Sequence, residues 1–383
     1  MNVSENKIIP YRIKQARITR GFSMAELADL VGVSKQAISQ YEQGKHDPSF
    51  STLNRLSDIL KYPYSFFTKP IQKQQNASSP VFFRSRKTAA KKNLNAAREK
   101  IEIFSEINNY LSKYVIFPEL ELPKIKYLDD SEPLDNEIIE RYALELRHKW
   151  NLGVQPINNL ISLIQSNGIM VSKMELRLKK IDAFSVWYDA KPYIFLSSDK
   201  GSNVRTRFDM AHELGHLIMH ADYFQDDELD NKTINTKLED EANRFAGAFL
   251  LPRESFSKDV RSTSIDFFIQ LKRKWKVSIS AMIFRCETLG LLTSSQIKYL
   301  KDQMTKRVYW RREPLDDEMP SEKPFAHKQA IDLLLENNII QPSELINATG
   351  CYASELEAYC FLEKGTLSQK NTSNIIQLKQ KSS

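Results

Sequence analysis

A chain of 383 residues with 41% hydrophobic and 27% charged residues is long enough for two or three domains and too ordinary in composition for a disordered or fibrous protein. No run of about 18 apolar residues could span a bilayer, and the opening MNVSENKIIPYRIKQ lacks the apolar core of a secretory signal, so membrane and exported proteins are set aside. The net charge of +7 is uneven: the first 100 residues carry 18 Lys and Arg against 7 Asp and Glu, the remainder 37 against 41. A basic head on a mildly acidic body points to a polyanion as the head's partner. Cys286, Cys351 and Cys360 fit a reducing compartment, so a cytoplasmic location is expected.

Residues 8–68 read as a set of short helices. TKPIQKQQNASSP (68–80) is polar, with proline near each end, and reads as a linker. Residues 86–115 begin basic (Arg84, Arg86, Lys87, Lys91 and Lys92 lie here or just before) and continue as an amphipathic helix through Ile101, Ile103, Phe104, Ile107 and Leu111. Residues 117–133 are proline-punctuated and irregular; helical periodicity returns over 136–150 and 155–167. GIMVSKM (168–174) and IDAFSVWYDAKPYIFLSS (181–198) are rich in β-branched and aromatic residues, and Asp189-Ala190-Lys191-Pro192 turns between two strands. A helix over 203–221, an acidic loop over 222–232 and a helix over 237–251 stopped by Pro252 follow. The span 258–365 is mostly helical, and the tail from 366 is polar. The fold class expected is mainly α with a small β-sheet (α+β). Its divisions are 1–70, a helical head; 71–134, linker and amphipathic helix; 135–257, a core with the sheet; 258–365, a helical region; and 366–383, a disordered tail.

In the head, Ser23 and Glu26 have the spacing of a capping box. Leu27, Ala28 and Val31 form the buried face of the helix they start, and Gly32 suits the left-handed turn that follows. Ser34 caps a second helix with Ala37, Ile38 and Tyr41 inward and Lys35, Gln36, Ser39 and Gln40 outward. A further helix from about Ser51 buries Leu53, Leu56 and Leu60. Over about 55 residues this pattern resembles the helix-turn-helix domains of the phage-repressor-like (XRE) family. The resemblance implies that the second helix lies in the major groove of double-stranded operator DNA. Lys35, Gln36 and Gln40 would then face base edges or nearby phosphates, with Arg12 and Arg17 as candidates for phosphate contact. Met24 stands where many relatives place a phosphate-binding Gln. Half-site reading by such heads also allows a homodimer.

AHELGHLIMH (211–220) places His212 and His216 four apart, on one face of a helix, where both can hold one metal ion. Glu213 stands beside them as the base for a water whose pKa zinc lowers to roughly 7. Gly215 removes a side chain between the two, so that a strand or loop can approach. His220 lies about 12 Å along the helix from His212. The two cannot share one ion, so His220 is expected to pack or to support the site. A metzincin would continue with Gly and a third His, but Met219 and Asp222 stand there. The third ligand is therefore expected to be a carboxylate from KLEDEANRFAGAFLLP (237–252). Glu241 shares the apolar stripe of Ala242, Phe245 and Phe249, where burying a carboxylate is costly unless a cation meets it. Glu241 is the first choice and Glu239, on the stripe of Asn243, the second. Tyr188, Tyr193 and Tyr223 are close enough in sequence to be weighed as oxyanion donors, and none stands out.

AHELGHLIMH and EDEANRFAGAFLLP together resemble the ImmA/IrrE family of metallopeptidases. PVFFRSRKTAAKK (80–92), IDAFSVWYDAKPYIFLSSDK (181–200) and LKRKWKVSISAMIFRCETLGLL (271–292) resemble segments of its longer members that begin with an XRE domain. The resemblance implies a thermolysin-like (gluzincin) core with Zn2+ on two His and a Glu, and Glu213 as catalytic base and acid. It also implies limited proteolysis of a DNA-binding repressor. A second reading stays open: a transcriptional regulator or antitoxin-like protein whose metallopeptidase fold senses or docks without turnover.

Overall fold

The computed structural model describes residues 7–71, 91–123, 134–174, 182–197, 203–220 and 232–368. The head holds α1 (Pro10–Thr19), α2 (Met24–Val31), α3 (Lys35–Glu42), α4 (Phe50–Leu60) and α5 (Tyr64–Thr68). Its local chemistry follows the sequence closely. Ser23 Oγ accepts the Glu26 amide at 3.2 Å while Glu26 Oε2 accepts the Ser23 amide at 2.6 Å, closing a capping box at the start of α2. Gly32 ends α2 at φ 72°, a conformation that costs glycine little. Ser34 Oγ then accepts the Ala37 amide at 3.0 Å and starts α3. Leu27, Ala28, Val31, Ile38, Leu53, Leu56 and Leu60 are all buried.

The body begins with α6 (Lys91–Leu111), α7 (Asn136–Lys149) and α8 (Leu160–Ser166). A three-stranded sheet follows, ordered β1-β3-β2: β1 (Met170–Met174), β2 (Ala183–Tyr188) and β3 (Lys191–Ser197). β2 and β3 form an antiparallel hairpin in which Tyr188 pairs with Lys191. Its two-residue loop, Asp189-Ala190, takes positive φ at both positions (53° and 57°), so the twist of the turn matches that of the strands. Next come α9 (Asn203–Met219) and α10 (Lys232–Leu250), then α11 (Arg253–Asp259), α12 (Ile265–Trp275), α13 (Ile279–Thr288) and α14 (Ser294–Lys306). The last helices are α15 (Ala326–Glu336), α16 (Pro342–Thr349) and α17 (Ala353–Cys360). Among the described residues the protein is thus mainly α with one small sheet.

Period-two alternation divides the sheet's side chains between two apolar cores. Val171, Ala183, Ile194 and Leu196 face a core shared with α7–α14. Met170, Met174, Phe184, Val186, Tyr193 and Phe195 face the other, shared with α6, the head and α15–α17. The span 258–365 therefore sends its first helices to one core and its last to the other. α6 is the hub of the second core: Phe104 meets the Phe195 ring edge-on at 5.5 Å, and the opposite side of α6 carries the head. The acidic loop, the basic stretch around Arg84–Lys87 and the tail beyond 368 lie outside the described residues. No helix among the described residues is long and apolar enough to cross a membrane.

His327 of α15 is buried between Phe104 and Phe117, with ring centroids 4.6 and 5.4 Å away. Burial pulls its imidazole down to about 4. An unfolded chain protonates this group near 6.5, before the folded one does, so stability is intact above that pH and falls as pH drops toward 4. Between pH 7.5 and 5 this group alone should remove about 2 kcal/mol. Urea unfolding of wild type and His327→Leu at both pH values checks it: the variant should lose that much less stability on acidification. An equal loss in both proteins would show that His327 is not the source.

Candidate metal centre

α9 brings the histidines into the interior because its neighbours cover it on both sides. α10 packs along one flank and β2 along another. The approach of α10 is made at Gly215, where an added Cβ would meet the Phe245 ring at 3.0 Å. A helix thus fills the space in which a strand or loop was expected, and Phe245 is the residue that needs the glycine. The C-terminal end of α10 is clamped by buried arginines: Arg147 Nη1 donates to Phe249 O at 2.6 Å and Arg285 Nε to Leu251 O at 2.9 Å. Cations at this end also complement the helix dipole.

With α10 held there, His212 Nε2 and His216 Nε2 lie 3.0 Å apart, and Glu239 reaches both. Glu239 Oε2 is 3.5 Å from His212 Nε2 and Oε1 is 3.6 Å from His216 Nε2. Ligand atoms of these three residues all fall within 4.8 Å of one another. Glu241, the first choice from helix-face reasoning, is not among them. It is buried, as its stripe requires, but the partner it meets is His220, whose Nε2 lies 3.0 Å from Glu241 Oε2. Glu241 Oε1 accepts the Leu134 amide at 2.9 Å. The acid at the imidazole pair is the half-buried one on the Asn243 stripe. Asn243 belongs to the same arrangement: its Oδ1 is 2.9 Å from His212 Nδ1. His220 supports the cluster, its Nδ1 2.8 Å from His216 Nδ1.

Electrostatics matches a cation-binding cluster. Burial opposes charge on Glu239, yet hydrogen bonds and charge from His212 and His216 hold its carboxyl well below the usual range. Burial keeps His216 far below its ordinary pKa, so its ring is neutral and one nitrogen carries a lone pair. Glu213 is buried, which pushes its carboxyl up to about 7, against the pull of His212 and of a hydrogen bond from Ser185. That bond runs from Ser185 Oγ on β2 to Glu213 Oε2 at 2.7 Å. Ser185 escaped the sequence reading; its signal is a polar residue on the strand face that otherwise presents Ala183 to the core. Tyr193 lies on the sheet's opposite face, 3.5 Å from Ser105 of α6, and Tyr188 alternates to that same face. Neither points at the histidines, and Tyr223 lies outside the described residues.

In the head, Lys35 and Gln36 are exposed on α3 and Gln40 is half-buried. Arg12 and Arg17 are not surface cations, contrary to expectation. Arg12 is 0% exposed: Nη2 pairs with Glu106 of α6 at 2.6 Å, Nη1 donates to Gln15 at 2.6 Å, and Nε donates to Lys69 O. Arg17 is buried in a two-pronged pair with Glu42 of α3 and also donates to Phe22 O. Both charges are already paired with carboxylates of the protein. Tyr11 and Gln15 extend the contact, each bonding Glu102 of α6. Arg20 ties the head to α17 through Glu355.

Comparison with known proteins agrees with both halves. Residues 164–287 match the family Peptidase_M78, described as an IrrE N-terminal-like domain. Residues 13–67 match the helix-turn-helix family HTH_3. Over 58 residues, 15% of this chain, it is 38% identical to the SPbeta prophage-derived HTH-type transcriptional regulator YonR of Bacillus subtilis (strain 168). Over 60 residues, 16% of this chain, it is 38% identical to the HTH-type transcriptional regulator SutR of Escherichia coli (strain K12). The chain spans 54% of the length of the first and 34% of the second.

Proposed function

We propose, for a chain that joins a helix-turn-helix domain to an IrrE N-terminal-like Peptidase_M78 domain, that it is a zinc-dependent endopeptidase. It controls transcription by limited proteolysis of a repressor-type protein, and its own head binds double-stranded DNA. The observation that carries this reading is the meeting of His212, His216 and Glu239 beside Glu213. The donor set fits zinc: two imidazoles and a carboxylate leave positions open for water and substrate, as a catalytic rather than a structural site requires. Zinc, when bound, supplies Lewis acidity that makes water a nucleophile near neutral pH and polarises an amide carbonyl. The chain's own residues do the rest. Ser185 holds Glu213 through Oε2, and Glu213 takes the proton from the attacking water and delivers it to the leaving nitrogen. In the head, Lys35, Gln36 and Gln40 of α3 read base edges or adjacent phosphates, without Arg12 and Arg17.

The test is Glu213→Gln, assayed with co-expressed candidate repressors and with metal analysis of the purified protein. Zinc content should stay at about one per chain, while cleavage falls by at least about a hundredfold, the usual scale for loss of a general base. Repression should then persist. A Gln variant that relieves repression as well as wild type would overturn the peptidase reading and leave a regulator without turnover.

A further inference from the structure

Two side chains in this cluster have no part in the proposed chemistry, yet they are buried and bonded in a line that ends on a ligand. Glu241 Oε1 accepts the Leu134 amide at 2.9 Å, and Glu241 Oε2 meets His220 Nε2 at 3.0 Å. His220 Nδ1 meets His216 Nδ1 at 2.8 Å. A carboxylate offers only acceptors. The nitrogen of His220 that faces it must therefore carry a proton. Neutral imidazole has one N–H and one lone pair, so His220 Nδ1 is an acceptor. His216 must then donate from Nδ1, which leaves the lone pair of His216 on Nε2, the nitrogen turned toward His212 and Glu239. Each assignment forces the next. The line starts from the one group whose role is not open to a tautomer or an amide flip.

The other ligand is supported differently. His212 Nδ1 faces Asn243 Oδ1 at 2.9 Å, and an amide can present either oxygen or nitrogen. Glu241 has no such freedom. Its two contacts are both donors, so replacing either oxygen by NH2 sets donor against donor. The spacing fits this role: His220, one residue past the end of α9, still donates its amide to His216 O at 3.0 Å, which places both rings on one face.

We propose that His220 and Glu241 are a positioning pair, which locks His216 in the tautomer that presents Nε2 to a divalent cation. The inference rests on the metal reading above and gives Glu241 a role other than ligand. Support of this kind, from a group that orders a metal-ligating histidine, is worth about 10–100-fold in metal affinity.

The experiment is a zinc titration of the full-length protein against a chromophoric chelator, with Co2+ absorption spectra alongside. It compares wild type, Glu241→Gln, His220→Leu and His220→Gln. Metal-free thermal unfolding shows that each variant is folded, and the near-isosteric Glu241→Gln covers the case in which His220→Leu is not. Glu241→Gln and His220→Leu should weaken zinc by about 10–100-fold and alter the visible Co2+ bands. His220→Gln, whose amide can accept from His216 and donate to Glu241, should recover most of the affinity. Wild-type uptake with unweakened, folded variants, or a Gln variant no better than Leu, overturns the positioning pair alone. Wild-type protein that takes up no zinc overturns the metal reading beneath it as well.

Discussion

Glu239→Ala should cost the protein its zinc, with affinity falling by about a thousandfold. Protein zinc sites are worth about 10–16 kcal/mol, so one of three protein ligands accounts for about 4 kcal/mol, close to a factor of a thousand. The geometry assigns this loss to Glu239 because its oxygens are the carboxylate oxygens that lie 3.5 and 3.6 Å from the two imidazole nitrogens. Glu239 is half-buried at the rim of the cluster, so removing it should leave the fold standing. Isothermal titration with zinc, checked by circular dichroism, separates the two effects. A Glu239→Ala protein with unchanged affinity would mean that another acid holds the ion.

Arg12→Ala should act on stability and not on DNA. The guanidinium is enclosed between α1 and α6, with Glu106, Gln15 and the Lys69 and Pro70 carbonyls around it. Removing one side of a buried ion pair leaves the other uncompensated, at about 3–5 kcal/mol. Lys69, 2.6 Å from the other Glu106 oxygen, would relieve part of that, which places the expected loss near the lower end. Had Arg12 touched a phosphate, stability would be unchanged and the salt dependence of DNA binding would fall by about one counterion. Urea unfolding and salt-dependent gel shifts distinguish the two. Gln36→Ala with Gln40→Ala should do the opposite: weaken sequence-specific binding and leave the urea midpoint where it was.

The contrast between those residues shows which parts of this protein can be read from sequence. Ser23, Glu26, Gly32 and Ser34 act on backbone groups within three or four residues, so their spacing carries the structure of the head. His212 and His216 share a face for the same local reason. Arg12 pairs across 94 residues and Arg17 across 25. A positive charge in a basic segment looks the same whether its partner is a phosphate or a buried carboxylate.

Helix-face reasoning put Glu241 ahead of Glu239, the acid that the geometry groups with the histidine pair, for a related cause. Helix-face reasoning rightly identifies Glu241 as the buried acid and assumes that only a metal can compensate it. His220 compensates it instead. A catalytic metal must also stay open to water and substrate, which favours an acid at the edge of the apolar stripe. The pairing of Glu239 with Asn243 four residues on was the legible clue, since both reach His212. Which stripe of α10 faces α9 depends on how the two helices dock, and Gly215 against Phe245 sets that docking.

The most direct measurement is an anomalous difference map from a crystal grown with zinc and recorded at the zinc edge. It should show one strong peak within about 2.0–2.2 Å of His212 Nε2, His216 Nε2 and an oxygen of Glu239, with Glu241 still on His220. A peak ligated by Glu241, or no peak at the histidine pair in zinc-saturated protein, would contradict the account.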